Sequence, residues 1–363
     1  MLARKLVTIR DVARTAGVSP ATVSNVFGGR KPVAAPLADR VRDAARTLGY
    51  QADRAASLLR SGRARIIAIV VPDLDNPFYT AVVSAVEDQA RQDGYEVFVA
   101  SSREDVTNEC GRLTALLAWR PAGVVVISTS DKFPGRALLE QAGTPYVLAD
   151  RPTDHLSADT VTTDDDEAGA IGADHLLDYG HEAVMIAAST LQIGNMRERC
   201  AGAVRRFAAH GLSPAVVELG LSFDEAITAL RQWFDKTQCP TAVLALTNFT
   251  TLGSLAVLAE RGLRVPRQVS LIGFDDYSWM RARVTPLTAI RQPVDDMGRL
   301  IWARLSARIE GDRSPPLRIR LPCELMVRSS TARRAGASAS RGAAARKTKS
   351  LAAGPAGQAA GTC

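Results

Sequence analysis

Between Arg65 and Phe274 the chain alternates short apolar runs with longer amphipathic stretches, and no other feature restricts its fold as strongly. The runs are IIAIVV (66–71), EVFVA (96–100), GVVVI (123–127), PYVLA (145–149), AVMIAA (183–188), AVLAL (242–246) and VSLIGF (269–274). Runs this short and rich in Val and Ile suit strands buried on both faces, and helical stretches between them supply the crossovers that parallel neighbours require. The pattern predicts an α/β fold with helices on both sides of parallel sheets. About 210 residues of it are more than one sheet ordinarily holds, so two sheets are expected.

The segment before this pattern reads differently. Residues 8–49 predict three short helices, with the periodicity of helices rather than strands. Thr8 and Asp11 form a capping box for the first, and Gly17 supplies its stop. Ser19 caps the second, with Pro20 at the first helical position, where a missing N–H does no harm. Val23, Val26 and Phe27 can then face Val12 and Ala13. The third helix runs from about Ala35 to Leu48, with Leu37, Val41, Ala44, Ala45 and Leu48 at helical spacing.

Charge is distributed as unevenly as pattern. Residues 1–65 hold 13 Lys/Arg against 4 Asp/Glu, residues 333–363 hold 6 against none, and the remainder is acidic, 26 against 34. A basic head on an acidic body predicts a polyanionic partner for the head. A helix as short as the second is unstable alone, so its role lies in how its neighbours hold it. In a helix-turn-helix the N-terminal turn of such a helix reaches base edges in the major groove. Ser19, Thr22 and Ser24 are then candidates for phosphate or base hydrogen bonds, Pro20 and Ala21 for a thymine methyl, Asn25 for adenine, and Arg30 and Lys31 for phosphates. Thr8, at the start of the first helix, joins this DNA-binding set. The alternative for the same residues is a helical interaction module without nucleic acid.

The stretches TIRDVARTAGVSPATVSNVFGG and RVRDAARTLGY resemble the headpiece of the lac repressor and galactose repressor family of bacterial transcription regulators. The resemblance continues in order through IIAIVVPDLDNPFY, GVVVIS, VLADRP, RERCAGAVRRF, PTAVLAL, VPRQVSLIGFDD, PLTAIRQP and LPCELMVRSS, from residue 8 to residue 330. It implies an all-α helix-turn-helix headpiece (1–50), a hinge helix and linker (51–64), and a two-lobed, periplasmic-binding-protein-like effector domain (65–330). The N-lobe would hold about 65–163 plus 293–322 and the C-lobe about 164–292 plus 323–330, with crossings near Asp164, Gln292 and Cys323. Residues 331–363 read as a disordered basic tail. The resemblance also implies a homodimer on a nearly palindromic operator, with hinge Leu59 wedged in the minor groove and Ala56 on the same face. A plain flexible linker is the alternative for 52–61. Four positions depart from the family pattern: Asn25 stands where Arg is usual, Ser57 replaces a frequent Arg, Asp53 a frequent Asn and Ala34 a frequent Ser. Each bears on the operator sequence preferred.

Parallel sheets bind ligands beyond the carboxyl ends of their strands. Those ends here carry Asp73, Asp150, Arg151, Thr247, Asn248, Asp275 and Asp276, with Phe78 and Tyr79 nearby. Carboxylates, an amide and aromatic faces suit a polyhydroxylated ring, so a sugar is the simplest guest. The resemblance assigns Arg199 to the anomeric or carboxyl end of the effector and Asp275 to opposite hydroxyls, with Tyr79, Asn195, Asn248 and Phe249 lining the same site. Arg199 and Arg151 together would favour a sugar acid, whereas Asp150 and Arg151 satisfying one another is an equal alternative.

Enzyme readings find little support. The four histidines are isolated, no H-E-x-x-H, G-x-S-x-G or phosphate-binding glycine loop occurs, and the acids of TTDDDEAGAIG read as a helix N-terminal dipole cap. The five cysteines show no metal spacing and read as reduced, mostly core-filling residues. No cofactor and no metal are expected. No apolar run approaches the length that spans a bilayer, and the first twenty residues are too charged for a secretory signal, so the expected location is the cytoplasm with no membrane partner. The resulting expectation is an effector-responsive transcription regulator, a repressor of sugar or sugar-acid utilisation genes.

Overall fold

The computed structural model describes residues 7–28, 31–50, 65–154 and 157–334. Three helices open it: α1 (Ile9–Ala16), α2 (Pro20–Gly28) and α3 (Ala35–Leu48). They enclose a small core of Val12, Ala13, Ala16, Val23, Val41, Ala44 and Ala45. Phe27 takes a different place from the one its spacing predicts: it is exposed and lies 5.9 Å from the Tyr50 ring, not against Val12 and Ala13. Leu37 is half-buried, and Ala38 occupies the buried position beside it.

The body follows as β1 (Ile66–Val71), α4 (Pro77–Gln92), β2 (Glu96–Ser101), α5 (Val106–Leu117), β3 (Gly123–Val126), α6 (Arg136–Ala142), β4 (Tyr146–Ala149) and β5 (Asp159–Thr163). Next come α7 (Asp165–Asp178), β6 (Val184–Ala188), α8 (Gly194–Ala209), β7 (Ala215–Glu218), α9 (Phe223–Lys236), β8 (Ala242–Ala245), α10 (Asn248–Glu260) and β9 (Ser270–Phe274). The chain closes with α11 (Ser278–Arg281), β10 (Thr288–Arg291), α12 (Val294–Glu310), β11 (Arg318–Leu321) and β12 (Glu324–Met326). Two six-stranded sheets result, ordered β11-β5-β4-β3-β1-β2 and β12-β10-β9-β8-β6-β7. Every pairing is parallel except β10 with β12. The chain passes from one sheet to the other after β5, after β10 and after β11.

Five strands lie outside the apolar runs of the sequence. Of these, β7, β11 and β12 are sheet edges, where one side faces solvent and polar residues are tolerated, and β5 is the Thr-rich DTVTT. Conversely β2, apolar enough to read as buried, is an edge strand that leaves Phe98 and Val99 exposed.

The boundary of the tail also differs from expectation. Residues 331–334 are docked rather than disordered: His175 Nε2 lies 2.9 Å from Thr331 Oγ1, His181 Nε2 lies 3.1 Å from the Ala332 carbonyl, and Arg333 Nη1 donates to the Asp178 carbonyl at 2.7 Å. Arg333 also sits over the Tyr179 ring and the backbone N–H of Arg334 donates to the Tyr179 carbonyl at 2.9 Å, so one cationic side chain and one backbone donor of the supposed tail cap the C-terminus of α7. The remainder of the basic tail, 335–363, lies outside the described residues.

Candidate functional site: a helix-turn-helix face and an interlobe cleft

In the headpiece, Asp11 accepts from both the backbone N–H and the hydroxyl of Thr8, at 3.0 and 2.7 Å, and fixes the start of α1. Gly17 ends that helix in the left-handed region, and Arg40 of α3 reaches the Ala16 carbonyl at 2.6 Å. The turn between α1 and α2 is thereby clamped from the third helix. Ser19 Oγ accepts from the Thr22 N–H at 3.1 Å and lies 2.9 Å from the Thr22 hydroxyl, so these two candidate base contacts also cap α2. Ser19, Pro20 and Ala21 are exposed, and Thr22, Ser24 and Asn25 are half-buried. Ser24 and Asn25 make no side-chain hydrogen bond among the described residues, and Lys31 is exposed. Arg30, Ala56 and Leu59 lie outside the described residues, as do Asp53 and Ser57. Ala34 gives α3 no side-chain cap, as its substitution for a hydroxyl residue implies.

The second candidate site is a cleft between the two sheets, about 570 Å³ of empty space when the part open to solvent is included. Strand ends deliver Asp73 after β1, Arg151 and Asp150 after β4, Thr247 and Phe249 after β8 and Asp275 after β9. Helix α4 brings Phe78 and Tyr79, and α8 brings Asn195 and Arg199. Asn248 is buried behind this lining, with its Oδ1 lacking a partner. Asp276 turns away from the cleft: Arg328 takes both its carboxylate oxygens, at 2.6 and 3.0 Å.

Arg199 is buried within a ring of acceptors. Its Nε donates to Asp165 Oδ1 at 2.5 Å, Nη1 to the Leu246 carbonyl at 3.1 Å and Nη2 to Gln292 Oε1 at 3.3 Å, with the guanidinium 4.1 Å from the Phe274 ring centroid. Close helix packing sets the pair. A Cβ on Gly169 of α7 would lie 1.8 Å from the Arg199 carbonyl oxygen, and one on Gly202 of α8 would lie 1.9 Å from that of Asp166. Asp165 thus does more than the dipole cap expected of it; Asp164 takes the N-cap role, accepting from the Glu167 N–H at 3.3 Å. Burial pushes the Asp165 carboxyl up to about 6, against the opposing pull of Arg199.

Arg151 and Asp150 do not satisfy one another. The Arg151 fork holds Glu104 through two hydrogen bonds of 2.6 and 2.8 Å, and its Nη2 also donates to the Tyr79 hydroxyl at 2.8 Å. Asp150 adopts φ 61°, in the left-handed region, and accepts from Asn195 Nδ2 at 3.3 Å. Its Oδ1 is buried and unpartnered, as is Arg151 Nε. Burial raises the carboxyl pKa of both Asp150 and Asp275 despite the proximity of Arg199. Gln292, at the second crossing, joins both lobes: it donates to Asp275 Oδ1 at 2.7 Å and accepts from Thr163 at 3.4 Å as well as from Arg199.

The lobes also meet at the mouth of the cleft. Arg197 pairs with Asp131, Arg320 with Glu198 at 3.2 Å, and a Cβ on Gly194 would come within 2.8 Å of Pro152 Cγ. Lining residues that sequence reasoning missed are Glu104, Gln292, Asn76, Ser189, Ile193, Met196 and Leu221, and it also missed Asp165 as the partner of Arg199. The strand-end rule could have found Glu104, which follows β2, and Gln292, which follows β10. Of the four cysteines among the described residues only Cys200 is buried, so they are not mostly core-filling. Among the described residues no group of His, Cys, Asp and Glu is arranged to hold a metal, and no helix is long and apolar enough to cross a membrane.

Comparison with known proteins covers both sites. Residues 8–53 match the family described as bacterial regulatory proteins, lacI family, and residues 173–331 match the periplasmic binding protein-like domain. The HTH-type transcriptional regulator PtxS of Pseudomonas aeruginosa is 34% identical over 333 residues, covering 90% of this chain and 96% of that relative. The HTH-type transcriptional regulator KdgR of Bacillus subtilis is 30% identical over 330 residues, covering 89% and 97%. Among solved structures, the lac repressor dimer bound to operator and the anti-inducer ONPF superposes with a TM-score of 0.80 at 27% identity, over 90% of this chain and 100% of that one. A transcriptional regulator CelR–cellobiose complex gives 0.67 at 29%, over 89% and 99%. These relatives are named as transcriptional regulators, not as enzymes.

Proposed function

We propose that this chain, which belongs to the lacI family of bacterial transcriptional regulators, is a homodimeric repressor whose grip on operator DNA is set by a small polyhydroxylated effector. The observation that carries the effector reading is the cleft. Asp150 Oδ1 and Arg151 Nε are buried polar atoms without partners on residues that line the space between the lobes, and Asn248 Oδ1, next in sequence to the lining residues Thr247 and Phe249, is a third. Unpaired buried polar groups cost free energy, and a ligand rich in hydroxyls offsets that cost. The cellobiose of the CelR complex supports a carbohydrate guest, and the operator of the lac repressor dimer supports DNA at the headpiece.

In this reading α2 enters the major groove, with Ser19, Pro20, Ala21, Thr22, Ser24 and Asn25 at base edges or phosphates and Thr8, Arg30 and Lys31 on the backbone. Leu59 and Ala56 act in the minor groove as hinge contacts. Exposed Phe98, Val99 and Trp119 on one lobe, and the groove beside Val284 on the other, supply apolar area for a second copy. Effector binding changes DNA affinity only as far as it prefers one lobe arrangement, and Gln292, Arg197 and Asn195 are the side chains that register that arrangement.

The test is a gel shift with the full-length protein over the DNA upstream of its own gene, with and without a panel of sugars and sugar acids. The expected result is a retarded complex that one class of compound releases. No preference for that fragment over random duplex would overturn the DNA reading. Retention indifferent to every compound, combined with no thermal shift, would overturn the effector reading.

A further inference from the structure

Resting on the effector reading above, we propose that Arg151 is the carboxylate receptor of the cleft, that Glu104 is an internal carboxylate competing for it, and that the effector is a polyhydroxylated acid. The two buried arginines of the cleft differ in what holds them. Arg199 lines the cleft but is held by Asp165, the Leu246 carbonyl, Gln292 and the Phe274 ring, and Asp165 is only 1% exposed, so a guest meets Arg199 with that ion pair intact. The Arg151 fork is held by a side chain 21% exposed, which lines both the cleft and an open groove outside it bordered by Thr129, Thr190 and Leu221. Glu104 therefore has somewhere to go.

The contact itself fixes the chemistry of the competitor. Nη1 and Nη2 of Arg151 take one oxygen each of the Glu104 carboxylate, a fork-to-fork contact that another carboxylate reproduces with its charge and a hydroxyl pair reproduces only without it. Arg151 is 4% exposed, so withdrawing Glu104 without replacing its charge would strand a buried cation. An uncharged sugar must leave Glu104 in place; an acid can displace it. The backbone at Glu104 is held, its N–H donating to the Pro72 carbonyl at 3.0 Å, so such exchange is a movement of the side chain. Arg103 and Glu104 adopt φ 53° and 55°, in the left-handed region disfavoured for side chains with a Cβ. Meanwhile the unpartnered oxygen in the cleft, Asp150 Oδ1, is an acceptor, suited to a hydroxyl donor and not to a second carboxylate. One carboxylate at Arg151 and hydroxyls toward Asp150 and Asp275 describe an aldonate or uronate.

The first experiment uses acetate as probe, with acetamide as its uncharged counterpart and chloride to match ionic strength. The Glu104→Ala protein should melt below wild type, and acetate should raise its Tm by several degrees while acetamide does not; neither should move wild type. Where Glu104→Ala does not fold, Glu104→Gln carries the same comparison. Acetate acting no better than acetamide overturns the proposal. The second experiment titrates a panel of hexonates and hexuronates beside the matching aldoses and alditols. Glu104→Gln should bind the responding acid at least about tenfold more tightly than wild type, because its internal competitor is uncharged, and bind the neutral members no better. A neutral compound binding best, with no acid favoured by Glu104→Gln, overturns it. Operator release, read separately, keeps the two ideas apart: release by a neutral sugar with no acetate rescue preserves the effector role and removes this inference. Acetate rescue with no operator release by any acid preserves the exchange of Glu104 for a carboxylate at Arg151 and removes the acid as effector.

Discussion

Arg199 and Arg151 line the cleft while Arg197 stands at its rim, and the first two differ in their partners rather than in themselves. Arg199 and Arg151 are equally buried, yet one faces Asp165, at 1% exposure, and the other faces Glu104, at 21%. Arg197, 48% exposed, meets Asp131 at the rim. A guanidinium whose partner is sealed keeps that partner when a guest arrives, one whose partner reaches solvent can trade it for a ligand, and one at the rim reports whether the lobes are shut. Solvent access to the anion separates Arg199 from the other two, and exposure of the guanidinium itself separates Arg197 from Arg151.

Breaking the deepest pair should have the largest effect. Arg199→Ala leaves Asp165 buried without its cation, which is expected to cost about 3–5 kcal/mol of stability in denaturant unfolding. A loss under about 1 kcal/mol would mean that Asp165 is no more committed than Glu104. A Cβ on Gly202 attacks the same pair through the backbone, since it meets the Asp166 carbonyl oxygen at 1.9 Å. Gly202→Ala should therefore lower stability by about 1–3 kcal/mol, the range of an overpacked core, and should weaken effector binding with it.

A pH titration sharpens the comparison next. The Asp165 carboxyl, at about 6, lies above its unfolded value of 3.8, so between those limits the folded chain keeps a proton that the unfolded chain has lost. Stability from this group falls as pH rises through that window. His175 acts in the opposite sense: burial pushes it down to about 4 from 6.5, so stability from it is lost as pH falls. The difference between Asp165→Asn and wild type isolates the first, and the melting temperature of the variant relative to wild type should climb from pH 4 to pH 6. A flat difference would place Asp165 in water. The smallest effect belongs to the rim, where Asp131→Ala is expected to change stability by less than about 1 kcal/mol, as exposed ion pairs do, while shifting the effector concentration needed for operator release.

The headpiece was legible in the sequence because its defining contacts are local. Thr8 with Asp11, and Ser19 with Thr22, are three residues apart, and the core residues Val12, Val23 and Val41 follow helical spacing. The cleft was legible only as a list of strand ends. Asp150, Arg151 and Asp275 were readable there, with Tyr79 nearby and Arg199 only through the family resemblance, but their partners were not: Arg199 finds Asp165 34 residues away and Gln292 93 away, and Arg151 finds Glu104 47 away. A run of acids before a helix looks the same whether one of them caps a dipole or neutralises a buried arginine. Phe27 and β2 erred for a related reason, since apolar character does not say which side of a helix or sheet is left uncovered.

Pattern and local chemistry by themselves determined that the chain makes a basic three-helix head and two parallel α/β sheets with polar strand ends, because helix periodicity, caps and buried-strand composition act over a few residues. Only the tertiary structure decided which charges are spent on one another and which remain for a ligand. That choice depends on distances between segments far apart in the chain and on how much water reaches each pair, and neither quantity is written in any short stretch of residues.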